Sequence, residues 1–504
     1  MGVWRSGLAA GLLGLVLFAN AGAVQAAALY GLAAGIDNYS SGPLSGAEAD
    51  AADIAAALEA AGANEVVLLK GEDATRAAVL DAWTDLLSKA ERGDTVIFSF
   101  AGKGSAGTDG PAYLLAGDTA LSRQDILTRA KQADARGVHT LFLGDASFGG
   151  DLNRPVSALD VQLRQAASES VADGTGEAPI DERGFSYGSF VYGAAPGGAV
   201  PEVAIGSSRR GALSWAFARA LQGAADANRD GAIDDHELRR YLGLAVGALT
   251  EGQQTPHIVP NRLTPVTLAP VSRDGNVAAD DDGPLRLAVI GEVPPALESE
   301  SGIEVVSDPG EAELIWNRAE KRLDHYLGGQ VAEGVDRRRL APALAKWKAL
   351  KRLRLRAALM PAPIDLVSGD RLYGDGDFVQ IEVLPGRYPY LTIFDLSPEG
   401  WVVPILPADA SGADKQWKEH IHQMFRQSSP PNGALHRVVI FSKSPMTGLQ
   451  VALKRMEGKG ATGLSEALAK AFADESAVQV GIFPIYSGQA SGQASGTEPS
   501  ALAP

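Results

Sequence analysis

Short apolar runs alternate with amphipathic stretches from Ala28 to about residue 150. Residues 28–36, 66–69, 95–100 and 139–143 read as strands. Residues 47–61, 76–89 and 122–135 read as helices, the second opened by Thr75 as its N-cap. This alternation predicts an α/β fold with a mostly parallel sheet flanked by helices, in which ligands sit beyond the carboxyl ends of the strands. The loops at two such ends, 101–107 and 144–150, are glycine-rich. Residues 151–190 are polar and irregular, a surface loop or a disordered stretch. Pattern resumes with a strand at 202–205 and a helix at 211–220.

The acidic stretch 272–284 lacks large apolar residues and reads as a linker closing a first domain of residues 27–271. A small α/β connector follows over 285–360, with strands at 285–290, 303–306 and 314–316 and a basic amphipathic helix at 336–357. Residues 361–486 then read as a β-rich domain with strands at 377–384, 390–395, 401–406, 437–441 and 478–482. The near-repeat SGQASGQASG marks 487–504 as a flexible tail. At the other end, Arg5, the apolar run 8–18 and the small residues Val24 and Ala26 predict a cleaved signal peptide over 1–26. The expected mature chain has no transmembrane segment and is periplasmic or secreted.

The formal net charge of −16 argues against a general nucleic-acid binder and leaves room for cations. The 504 residues include no cysteine, so there are no disulfides, thiolate metal sites or thiol nucleophile.

Five segments appear in an informative order: 29–39 (LYGLAAGIDNY), 44–51 (LSGAEADA), 94–104 (DTVIFSFAGKG), 141–150 (LFLGDASFGG) and 202–221. Together they resemble the bacterial caspase-like peptidases, the metacaspases and orthocaspases, over roughly 28–270. In that family a histidine lies between two glycines, and a cysteine following Asp-Ala attacks the peptide carbonyl. Here Lys103 lies between Gly102 and Gly104, and Ser147 follows Asp145-Ala146. A one-residue slip would place Ala146 at the cysteine position instead. Neither alignment supplies a thiol, so the resemblance implies a pseudo-enzyme with vestigial positions Lys103 and Ser147. The alternative is a hydrolase with a Ser147–Lys103 dyad. A lysine base must be deprotonated near neutral pH, which costs on the order of 4 kcal/mol of differential solvation.

Residues 226–237 read D-A-N-R-D-G-A-I-D-D-H-E and fit an EF-hand-type loop. Calcium takes six to eight hard oxygens. Asp226, Asn228, Asp230, Asp234 and Glu237 offer side-chain oxygens, Ala232 offers its carbonyl, and Gly231 permits the turn. Ca2+ is the one cofactor expected, in a structural role.

Residues 372–377, 390–395, 400 and 403–407 resemble a β-rich bacterial module of unknown function often appended to caspase-like or kinase domains. The helix at 336–357, with nine basic residues between Arg337 and Arg356, reads as a solvated face or a site for a membrane surface or an anionic partner. His420-x-His422 reads as a surface pair or half of a metal site. The whole implies a catalytically inactive, calcium-binding, caspase-like protein of the envelope that binds a peptide or protein partner.

Overall fold

Four adjacent parallel strands form most of the first sheet: β1 (Leu29–Gly35), β2 (Glu65–Lys70), β3 (Thr95–Gly107) and β6 (His139–Ser147). With β7 (Gly188–Tyr192) and the antiparallel edge β11 (His257–Val259), the order is β11-β7-β6-β3-β1-β2. A hairpin of β4 (Gly110–Leu115) and β5 (Thr119–Ser122) grows from the end of β3. Near-continuous apolar runs suit strands covered on both faces. Helices α2 (Arg76–Lys89) and α3 (Arg123–Arg136) cover one face. The other is covered by α1 (Ala47–Ala60), α4 (Ala212–Arg219) and α5 (Asp235–Leu249). The hairpin of β8 (Glu202–Ile205) and β9 (Ser208–Gly211) leads into α4, and β10 (Ala232–Asp234) pairs with β12 (Thr267–Pro270).

This computed structural model describes residues 27–107, 110–147, 181–194, 200–206, 208–272, 283–327, 329–366, 373, 377–407, 415–426 and 432–487. The expected signal peptide 1–26, residues 151–180 of the polar stretch, the core of the linker at 273–282 and the tail from 488 lie outside them. The irregular reading of 151–190 is corrected at its end, because Gly188–Tyr192 is a buried strand between β6 and β11. Strand β3 also outruns its apolar stretch by seven residues. Its glycine-rich end is held by ladders to β6 and β4.

The second half is built on a nine-stranded mixed sheet. Its first strands are β13 (Leu285–Ile290), β14 (Ile303–Val306), β15 (Leu314–Asn317), β16 (Arg322–His325) and β17 (Gly329–Glu333). They continue through β23 (Gly433–Ser442) to β20 (Tyr390–Leu396), β21 (Val402–Leu406) and β24 (Val478–Ser487). Segments 285–360 and 361–486 thus share one sheet and one core. A separate three-stranded sheet, β18-β19-β22, comprises Ile364–Leu366, Phe378–Val383 and Ile421–Arg426. Helices α7 (Thr447–Met456) and α8 (Leu464–Asp474) complete the region. Among the described residues no helix is long and apolar enough to cross a membrane.

The basic helix, α6 (Arg337–Leu359), keeps Arg337, Arg338 and Arg339 exposed but departs from the solvated-face reading at three positions. Lys346, Lys351 and Arg354 are buried at its core-facing positions. Lys346 donates to the Ser397 carbonyl at 2.9 Å, and Lys351 pairs with Glu313 at 2.7 Å. Arg354 pairs with Glu251, which follows α5. Leu355, Ala358 and Leu359 enter the core of the first half, and the Tyr241 hydroxyl donates to the Ala358 carbonyl at 2.7 Å. This helix joins the two halves.

Candidate functional site

Lys103 lies at the carboxyl end of β3, and the register places it directly opposite Ser147 on β6. The loop after β1 reaches over this end. Its Tyr39 hydroxyl accepts the Lys103 backbone N–H at 3.0 Å and donates to the Leu114 carbonyl at 3.1 Å. A Cβ at Gly102 would lie 2.2 Å from that hydroxyl, so only glycine admits this approach. The Lys103 ammonium turns into the same loop, donating to the Gly42 carbonyl at 2.6 Å and the Ser41 hydroxyl at 3.2 Å. It also lies 5.5 Å from the centre of the Tyr39 ring. The cation is therefore a partly shielded clasp between strand and loop.

Behind it, acids hold the starts of two helices, where backbone N–H groups lack helical partners. At α1, Asp37 accepts from Ala47 N–H at 2.8 Å, and Glu202 accepts from Gly46 N–H at 2.7 Å and Ser45 N–H at 3.0 Å. At α4, Asp50 accepts from Gly211 N–H at 2.7 Å and Asp145 from Ser214 N–H at 2.8 Å. A Cβ at Gly211 would lie 2.2 Å from the Asp145 carboxylate. Burial raises Asp50 to about 8 and Asp145 above the usual carboxylate range; each acid is nearly inaccessible. Burial pushes Asp53 up as well, but Arg219 and Arg210 outweigh it and hold that carboxyl low. Arg210 spans the acids, its Nε 2.6 Å from Asp50 and its Nη2 2.9 Å from Asp53.

A parallel sheet with helices on both faces, carrying buried acids and a lysine at its strand ends, thus surrounds the two singled-out positions. Residues 30–266 match the family model described as the caspase domain. This region is a caspase-like domain. Solved structures similar to the chain include a Geobacter sulfurreducens protein at 19% identity, covering 46% of this chain and 92% of that one, with a TM-score of 0.32. Caspase-1 from Spodoptera frugiperda matches at 12% identity, covering 49% and 91%, with a TM-score of 0.33. A structure of pro-Sf-caspase-1 matches at 15% identity, covering 46% and 86%, with a TM-score of 0.31. No curated protein matches the chain.

In the caspase-like domain, then, the strand ends carry Lys103 beside Ser147, and the chain has no cysteine. The roles of Asp50, Glu202 and Arg210 escaped the sequence reading. A signal was present for Asp50, which falls on the helical face of Ala47, Ala51 and Ile54, an acid on an apolar stripe.

The EF-hand-type loop runs from the end of α4 into α5. Gly231 has φ 86° and Ile233 is buried. Glu237 reaches back over the loop, accepting from Ala227 N–H at 3.0 Å and Asn228 N–H at 3.1 Å. Asp226 accepts from Arg229 and Gly231 N–H, Asp230 from Ala232 N–H, and Asp234 caps α5 through His236 and Glu237 N–H. The donor types suit a hard cation. The carboxylates of Asp226, Asp230, Asp234 and Glu237 do not bring three ligand atoms within 4.8 Å of one another. Arg387 donates to the Ala227 carbonyl at 3.2 Å, linking the loop to the second half.

Proposed function

We propose that the chain is a calcium-binding, caspase-fold protein of the cell envelope, periplasmic or secreted, that holds a peptide or protein partner without cleaving it. The observation that carries this reading is Lys103. It stands where the family resemblance assigns a catalytic histidine, and its ammonium is committed as a donor to Gly42 and Ser41. The nucleophile of the family is missing from the composition. Calcium, bound by Asp226, Asn228, Asp230, Asp234, Glu237 and the Ala232 carbonyl, would stiffen the loop joining α4 to α5.

A second reading, a hydrolase using Ser147 and Lys103, draws on their direct pairing across β3 and β6. The test is hydrolysis of a broad fluorogenic peptide library, with and without calcium, by the wild-type chain and Ser147→Ala. Silence in both supports the non-catalytic reading. Turnover abolished by the substitution overturns it.

A further inference from the structure

Strands β19 and β22 pair antiparallel with Glu382 directly opposite His422. Alternation along β19 sends Val379, Ile381 and Val383 into a core and leaves Glu382 on the outer face. His420, two residues before His422, falls on the same side. The approach to β22 is anchored, since Trp417 N–H donates to the Pro389 carbonyl at 2.7 Å and Gln416 bridges to Tyr390. Two histidines and a carboxylate 38 residues away in sequence are thereby brought together on one sheet surface.

Their spacing is informative. One Glu382 oxygen lies 3.4 Å from His420 Nδ1 and 3.6 Å from His422 Nε2. The three ligand atoms lie within 4.8 Å of one another, the one such set of histidine and carboxylate groups among the described residues. Direct N–H···O hydrogen bonds are shorter, about 2.7–3.2 Å. A tetrahedral ion with ligands at about 2.0–2.1 Å has ligand–ligand edges of about 3.3–3.4 Å. The observed separations are too long for hydrogen bonds and within a few tenths of an ångström of such edges.

We propose that Glu382, His420 and His422 form a binding site for one divalent transition-metal ion of the zinc class. Two imidazoles exclude the oxygen-only preference of calcium and magnesium and suit zinc, cobalt, nickel or copper. Both histidine side chains are more than half exposed, so the fourth position faces solvent. The ion clips β19 to the start of β22 and is separate from the calcium loop in residues and in ligand chemistry.

The test is Zn2+ titration of the metal-stripped full chain in saturating calcium, followed by calorimetry, with Co2+ absorption as a geometric readout. The expected result is one zinc equivalent and an intense visible Co2+ band. His420→Ala/His422→Ala should abolish both, and Glu382→Gln should weaken binding by at least about tenfold. These residues are exposed or half-buried, and unchanged circular dichroism would show that the fold survives. His257→Ala, an exposed histidine elsewhere, should leave binding unchanged. Absence of a zinc equivalent in the wild type, or undiminished binding in the double variant, overturns the site.

Discussion

Lys103 and Ser147 stand opposite each other at the ends of parallel strands, yet the Lys103 ammonium is spent on the Gly42 carbonyl, 2.6 Å away. A clasp and a general base differ in what their removal does. Lys103→Met should cost about 1 kcal/mol of stability through the lost hydrogen bond and leave peptide hydrolysis at background. Denaturant unfolding and the fluorogenic assay measure the two effects separately. Wild-type turnover that vanishes in the variant would mean that Lys103 serves the hydroxyl as a base.

Gly211 makes a sharper structural prediction. Its Cα hydrogen faces two buried carboxylates, and a methyl there would lie 2.2 Å from Asp145 and 2.9 Å from Asp50. Gly211→Ala should destabilise the caspase-like domain by about 3 kcal/mol, as overpacking of a buried polar cluster does. Gly243→Ala in α5 meets nothing within 4 Å and should instead stabilise by up to about 1 kcal/mol. Thermal melts of the two variants should move in opposite directions.

Local pattern was legible where one element sufficed to make it. Thr75 caps α2 as its position implied, accepting from Ala78 N–H at 3.1 Å, and the apolar runs became the parallel strands. What stayed hidden depends on partners distant in sequence. Lys351 and Arg354 read as solvated because Glu313 and Glu251 are far along the chain. His420 and His422 read as half a site because Glu382 joins them only through antiparallel pairing. Ladders extended β3 into a glycine-rich segment with no apolar signal. The strand-end positions Lys103 and Ser147 were found through family resemblance, whereas the acids behind them emerge only once α1 packs on α4.

Asp50 gives a pH dependence of definite sign. Burial lets the folded chain keep its proton up to about pH 8, whereas the unfolded chain releases it near 3.8. Between these values the folded state binds more protons, so this group's contribution to stability falls as pH rises. Asp50→Asn removes that titration. The melting temperature of the variant relative to wild type should therefore increase steadily from pH 4 to 8, and a constant difference would contradict the assignment.

Calcium should raise the melting temperature of the wild type, since an ion that binds only the folded state stabilises it by mass action, by about 2.7 kcal/mol at a hundredfold excess over Kd. Glu237→Gln removes a ligand oxygen's charge and should abolish most of this shift. Without calcium it should cost about 1 kcal/mol, because Glu237 also accepts from Asp234 N–H in the capping box of α5. Equal melting in calcium and chelator would refute the bound ion.

The junction between the halves should open in acid. Glu251 accepts from His436 at 2.6 Å and pairs with Arg354, all three buried. Burial depresses His436 to about 4 against the ordinary 6.5, so its neutral ring donates Nε2–H to the carboxylate. Between pH 6.5 and 4 the unfolded chain takes up a proton that the folded one refuses, and stability falls as pH falls. Burial opposes the charge on Glu251, but Arg354 and His436 hold its carboxyl well below the ordinary 4.5, which extends the loss to lower pH. Glu251→Gln leaves the Arg354 charge uncompensated and should cost about 3–5 kcal/mol, whereas Glu251→Gln with Arg354→Met should recover most of that. Trp347 stacks on His325 at 4.7 Å and meets His436 edge-on at 5.3 Å, so its fluorescence reports the junction, with Trp347→Phe as the blank. A Trp347 signal that stays constant from pH 7 to 4, or a double variant no more stable than the single, would show that this triad does not hold the halves together.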